Sequence, residues 1–146
     1  MRFNTAMGKQ GLKVGVVLNP AAGGGGFKRN WPETAAGLKR HFGSFELRET
    51  QVCGDAERLA IDFALSGFDL VIAAGGDGTA SEVADGLVQA FHETGRTAEL
   101  AVLPCGTGVD FARGLGLPDD VEAALKRIAQ AKGRKIDAGR ISYVDD

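Results

Sequence analysis

The sequence predicts a three-layer α/β domain, a mostly parallel sheet with helices on both faces. Three observations predict it. Short β-branched apolar runs alternate with amphipathic helical patterns along the chain, the order that builds βαβ units. The run DLVIAA at 69–74 is almost unbroken in its apolarity, as in a strand covered on both faces. Glycine clusters at 23–26, 75–78 and 106–116 fall just after strand-like segments, on the edge where such sheets bind ligands.

The elements follow in order. KVGVVL at 13–18 is a strand that stops at Asn19 and Pro20, a turn pair. Asn30 followed by Glu33 has the spacing of a capped helix start, with Pro32 tolerated in the first turn; the helix runs to 42. Residues 45–50 alternate as a second strand. Asp55 caps a helix to 66 with Leu59, Phe63 and Leu65 on its apolar face. The third strand, 69–74, leads to a helix over 79–93, with Val83, Leu87 and Phe91 at i, i+4 and i+8. A fourth strand spans 99–103, a glycine-broken helical turn 111–117 and a helix 119–132. Residues 135–144 are expected to form a last strand.

Composition narrows the class. Apolar residues are 44% and charged residues 25% of 146, near the globular norm and away from disorder. The net charge of −2 argues against non-specific nucleic-acid binding. No run approaches the ~20 apolar residues of a membrane helix, and the first dozen residues lack a signal-peptide core. Cys53 and Cys105 stand far apart and outside any CxxC spacing, so free thiols are expected. His41 and His92 read as surface residues, and the chain has too few Cys and His residues for a zinc site.

Glycine is the outlier, 22 residues or about twice the usual share. In Gly75-Gly76-Asp77-Gly78-Thr79, glycines allow a sharp turn and close approach of backbone N–H groups to an anion. The helix that follows points its positive end at the same place. Asp77 is the anomaly, because a carboxylate repels phosphate. It serves either a Mg²⁺ ion or proton acceptance from an attacking hydroxyl, or else it caps the helix. NPAAGGGG at 19–26 is a second glycine loop. LPCGTGVDFAR at 103–113 is a third, offering Thr107, Asp110 and Arg113. Neither GxxxxGK[ST] nor GxGxxG occurs, which tells against an ordinary P-loop ATPase or Rossmann dehydrogenase.

These segments carry a resemblance. NPAAGGGG, TQVCGDA at 50–56, GGDGTASEVADGL at 75–87, LPCGTGVDFARGLGLP at 103–118 and KIDAGRI at 135–141 resemble, in order and spacing, the N-terminal domain of the diacylglycerol kinase catalytic family. That family includes bacterial lipid kinases and sphingosine kinases. GGDGT is shared with NAD kinases and phosphofructokinases; the LPxGTGxDFARxLGLP stretch is the more specific. The resemblance implies an ATP- and Mg²⁺-dependent phosphotransferase acting on a lipid hydroxyl. It implies nucleotide contacts at Asn19, Pro20, Ala21, Ala22, Gly23, Thr50, Gly75, Gly76, Asp77, Gly78, Thr79, Ala80, Ser81, Glu82 and Thr107. Asp77 and Asp110 match the catalytic carboxylates that organise Mg²⁺ and water, and in sphingosine kinases the residue matching Asp77 is also a proposed base. Two positions depart from the family: Ala22 where Ser is usual, and Val109 where Asn is usual. The resemblance suggests that Val109→Asn would be tolerated.

Residues 1–12 then form an extension and 13–146 the nucleotide-binding domain, without the family's second, mostly β domain. The expectation is half of a lipid kinase, inactive alone, with apolar surface near 135–144 favouring a homo-oligomer. The implied partners are ATP, a lipid acceptor and a transient membrane surface, not nucleic acid. The implied location is cytoplasmic, with peripheral contact at the inner membrane face. An NAD kinase-like or sugar-phosphate kinase, and a catalytically silent nucleotide-binding module, are the competing readings.

Overall fold

A computed structural model describes residues 11–105, 109–139 and 141. The strands are β1 (Val14–Leu18), β2 (Phe45–Glu49), β3 (Leu70–Gly75) and β4 (Glu99–Pro104). They form one sheet in the order β2-β1-β3-β4, with every pair parallel. The helices are α1 (Gly26–Arg29), α2 (Trp31–Phe42), α3 (Asp55–Leu65), α4 (Asp77–Thr94), α5 (Asp110–Gly114) and α6 (Val121–Gln130), with a 3₁₀ turn at Ala22–Gly25. The predicted three-layer α/β class is the observed one.

Side-chain alternation along the strands creates two cores. Val14, Val16 and Leu18, with Leu70, Ile72 and Ala74, pack on Leu38 and Phe42 of α2 and on Leu125 and Ile128 of α6. Val17, Val71, Ala73 and Val102 face the opposite way, onto Leu59 and Phe63 of α3 and Val83 and Leu87 of α4. β1 and β3 are buried at every residue, as the unbroken apolar runs require. Gly15 belongs to this second face: a Cβ there would lie 2.8 Å from the Phe63 ring.

α3 and α4 pack closely because Gly86 lacks a side chain. A Cβ on Gly86 would collide with the Glu57 carbonyl oxygen, a main-chain atom in a helix. Alanine gains ~1 kcal/mol of helix propensity over glycine, but overpacking costs about 1–3 kcal/mol and the neighbour here is not flexible. Gly86→Ala is therefore expected to lower the urea midpoint, with an unchanged m-value.

On the other face, Glu122 ties α6 to α2. It accepts a hydrogen bond from Arg40 at 2.8 Å and lies 2.7 Å from His41 Nε2. His41 is thus half-covered and partnered, where the sequence suggested a plain surface residue. Arg40 and then His41 hold the Glu122 carboxyl below the ordinary glutamate range. A lowered folded pKa stabilises at neutral pH, and the gain is lost as pH falls through the carboxylate range. The pair is exposed, so the effect is small. Thermal melts of wild type and Glu122→Gln should differ at about pH 7 and converge near about pH 3.

Four local expectations are corrected. The expected strand at 135–144 does not form among its described residues: positions 131–139 and 141 carry no regular structure and are exposed. Ile136 and Ile141 stand exposed among Lys135, Asp137 and Gly139, so this stretch brings little apolar surface to bury against the sheet. The Asn30 side chain makes no cap bond, because Asn30 already closes α1 with φ −92° and ψ 4°. Asp55 is the first residue of α3, behind a left-handed Gly54 with φ +87°. The helix expected over 119–132 spans Val121–Gln130, and Asp120 caps it, accepting from the Ala123 N–H at 2.8 Å.

Candidate functional site

The strands end level. Leu18 pairs with both Glu49 and Ala74, and Gly75 with Pro104, so all four following loops emerge on one edge. The chain moves from β1 outward to β2, then crosses back to β3. The carboxyl ends of β1 and β3 therefore flank the point where the direction of winding reverses, the usual ligand crevice of an open α/β sheet. Asn19 and the Gly75–Thr79 turn stand there.

The first loop is held by Asn19. Its N–H donates to the Ala74 carbonyl at 2.9 Å, its Oδ1 accepts from the Ala21 N–H at 3.1 Å, and its Nδ2 donates to Thr79 Oγ1 at 3.4 Å. Gly23, Gly24 and Gly25 follow with φ of 61°, 64° and 81°, a left-handed run that other residues resist. Pro20 and Ala21 make the turn itself, and the Ala22 side chain is buried. The second loop starts at Thr50, half-buried, whose N–H donates to the Leu18 carbonyl at 2.9 Å. Asp55 Oδ2 then accepts the Gln51 and Val52 N–H groups at 2.8 and 3.1 Å. Those two N–H groups hold the Asp55 carboxyl below its ordinary range.

The GGDGT turn opens α4 two residues earlier than the periodicity indicates. Gly76 is the N-cap and no side chain caps the helix, so its first-turn N–H groups have no intrahelical acceptor. Gly78 is exposed and Thr79 buried. A Cβ on Gly75 would collide with the Thr79 side chain, so this glycine is required for close packing. Ala80 is buried in the core and offers the site only main chain, while Ser81 is exposed.

Asp77 does not cap its own helix. Its Oδ2 accepts the Asp110 N–H and its Oδ1 the Phe111 N–H, both at 3.1 Å. The Asp110 side chain is 88% exposed and lies 3.6 Å from Arg113. Glu82 reaches the other way: Oε2 accepts the Ala56 N–H at 3.2 Å and Oε1 the Cys53 thiol at 3.5 Å. Three side chains of the first two turns of α4 thus each hold a different segment. Thr79 binds the first loop, Glu82 the start of α3, and Asp77 the start of α5. Thr107 lies outside the described residues. Sequence reasoning missed Asp55 and Cys53 as loop partners; an Asp five residues after Thr50, at a helix start, was the available signal for the first.

Cys105 and Val109 flank the third loop and are buried; burial pushes the Cys105 thiol well above its usual range. Both cysteines are free, as expected from their spacing. Among the described residues no group of three or more His, Cys, Asp or Glu side chains could hold a metal ion. None of the described helices is long and apolar enough to cross a membrane.

Comparison with known proteins agrees with the motifs. The family described as the diacylglycerol kinase catalytic domain matches residues 13–141. The chain is 35% identical over 128 residues to a protein named diacylglycerol kinase from Bacillus subtilis (strain 168), covering 87% of this chain and 41% of that one. It is 34% identical over 127 residues to a protein of the same name from Staphylococcus aureus (strain Newman), covering 87% and 39%. A crystal structure titled as a diacylglycerol kinase from Bacillus anthracis str. Sterne superposes with a TM-score of 0.70 at 36% identity, over 81% of this chain and 42% of that one. The chain spans about two-fifths of the length of these relatives.

Proposed function

Since the chain belongs to the diacylglycerol kinase catalytic family, we propose that it is the nucleotide-binding half of a lipid kinase, which transfers the γ-phosphoryl group of ATP to a lipid hydroxyl such as that of diacylglycerol. One observation carries this reading: the glycine loops after β1 and β3 and the start of α5 meet on one sheet edge, joined by the first turns of α4. Phosphoryl transfer is mainly positioning and charge neutralisation. A cluster of N–H groups with no Cβ in the way suits that task.

In this reading the N–H groups of Gly76, Gly78 and Thr79 cradle phosphate at the positive end of α4. Asn19 and Gly23 line the nucleotide from the first loop, Thr50 from the second and Thr107 from the third. Mg²⁺ fits the donors present. It retains several waters and takes one or two carboxylates together with phosphate oxygens, so the absence of a three-ligand cluster among the described residues is no obstacle. Asp77 and Asp110 are the carboxylates that would hold it, since each Asp77 oxygen spends one lone pair on an N–H and Asp110 is exposed. Bound there, Mg²⁺ would neutralise charge on the transferring phosphoryl group. A lipid acceptor implies transient contact with a membrane surface from the cytoplasmic side, and ATP as the other partner.

Adding Mg·ADP to the labelled chain should move the amide resonances of Gly23, Gly76 and Thr107. Shifts confined to the opposite sheet edge would reject this nucleotide site. With a protein of the relatives' length, labelled ATP offered alongside diacylglycerol, NAD or a sugar phosphate identifies the acceptor. Label in NAD or sugar phosphate, or in nothing, would favour the competing readings.

A further inference from the structure

We propose that Asp77 is a positioning residue that clamps the start of α5 onto α4. α5 has five residues, far too few to be stable alone. Its N-cap position is Val109, whose apolar side chain is buried and offers no acceptor. The N–H groups of Asp110 and Phe111, the first two residues of α5, have no intrahelical acceptor. Asp77 supplies both, one oxygen each. The capping that a Ser, Asp or Asn at position 109 would ordinarily perform is carried out from 33 residues away.

The two-oxygen geometry explains why a carboxylate stands inside an anion cradle. An asparagine presents one acceptor oxygen and one NH₂ donor, so in this geometry, where each N–H meets a different oxygen, it replaces one of the two acceptors by a donor. The carboxylate serves both. The two N–H groups also offset the negative charge that would otherwise oppose a phosphate. The consequence for the site rests on the nucleotide reading above: the clamp fixes the main chain at Asp110, and so sets where its exposed carboxylate stands relative to the N-terminus of α4. The clamp itself does not depend on that reading.

The test is residue-resolved hydrogen exchange on the 146-residue chain without metal or nucleotide. Asp77→Asn should speed exchange at the Asp110 and Phe111 amides by about tenfold or more, while β3 and β4 amides keep their protection; Asp110→Asn should leave both amides protected. Unchanged protection of both amides in Asp77→Asn overturns the clamp. If protection is lost across the sheet, the variant has unfolded and wild type decides: scalar couplings across the hydrogen bonds, from the Asp110 and Phe111 nitrogens to the Asp77 carboxyl carbon, are expected, and their absence overturns the clamp. Mg·ADP binding reads the consequence at the site: Asp77→Asn should weaken it about five- to tenfold, and Mg·ADP binding unchanged from wild type rejects the positioning role. If wild type fails to bind ADP while the exchange pattern holds, the nucleotide reading falls and the clamp stands.

Discussion

Asp77→Asn is expected to lower lipid phosphorylation by about 100- to 1000-fold, the usual loss when one preorganised electrostatic group leaves a reaction centre. The assay requires a protein of the relatives' length that contains this domain. Two losses act together. The charge available to Mg²⁺ disappears, and one of the two N–H groups at the start of α5 meets an NH₂ donor instead of an oxygen. The fold should persist, because the buried Val109 and Ala112 still anchor α5 in the core that faces α3 and α4, and the substitution leaves that packing untouched. Circular dichroism and a melting temperature within a few degrees of wild type would confirm that. Near-normal turnover would remove Asp77 from the chemistry altogether.

The layers were readable because burial dictates composition. The apolar runs at 13–18 and 69–74 are the two central strands, and Leu59, Phe63, Val83, Leu87, Leu125 and Ile128 of the periodic helices pack on the sheet, while Leu65 and Phe91 are exposed. The glycine loops were readable for a related reason: a chain turning sharply at the end of a buried strand needs glycine where φ is positive or where space is absent. What could not be read was how the loops hold one another. Hydrogen bonds from the N–H groups of residues 110 and 111 to Asp77, or from Cys53 and Ala56 to Glu82, leave no periodic trace in sequence. Spacing could only leave Asp77 poised between a site role and a cap of its own helix, and the structure makes it the cap of a different helix. Among its described residues the expected strand at 135–144 does not form: Ile136 and Ile141 stand exposed among Lys135, Asp137 and Gly139, and a strand forms only where an edge and a core both receive it.

Val109→Asn is expected to destabilise the chain by about 2–4 kcal/mol, contrary to the tolerance suggested by the relatives' asparagine. Val109 is 3% exposed, in the same apolar cluster as Ala80, Val83 and Ala112. Losing its burial costs roughly 1.5–3 kcal/mol. Placing an amide there adds about 1–3 kcal/mol unless partners are found, and among the described residues every buried side-chain polar atom has one. Against this stands the gain of an asparagine N-cap, typically ~1 kcal/mol. That gain is reduced here because Asp77 already takes the Asp110 and Phe111 N–H groups, which leaves the Ala112 N–H as the remaining first-turn donor. Val109→Ala isolates the apolar part and should cost about 1.6 kcal/mol for two lost methyl groups. Urea denaturation of both variants, with matching m-values, separates the contributions. An Asn variant at least as stable as wild type would mean that the amide turns out of the cluster and caps α5 through Ala112, so that valine and asparagine hold the third loop by two different means.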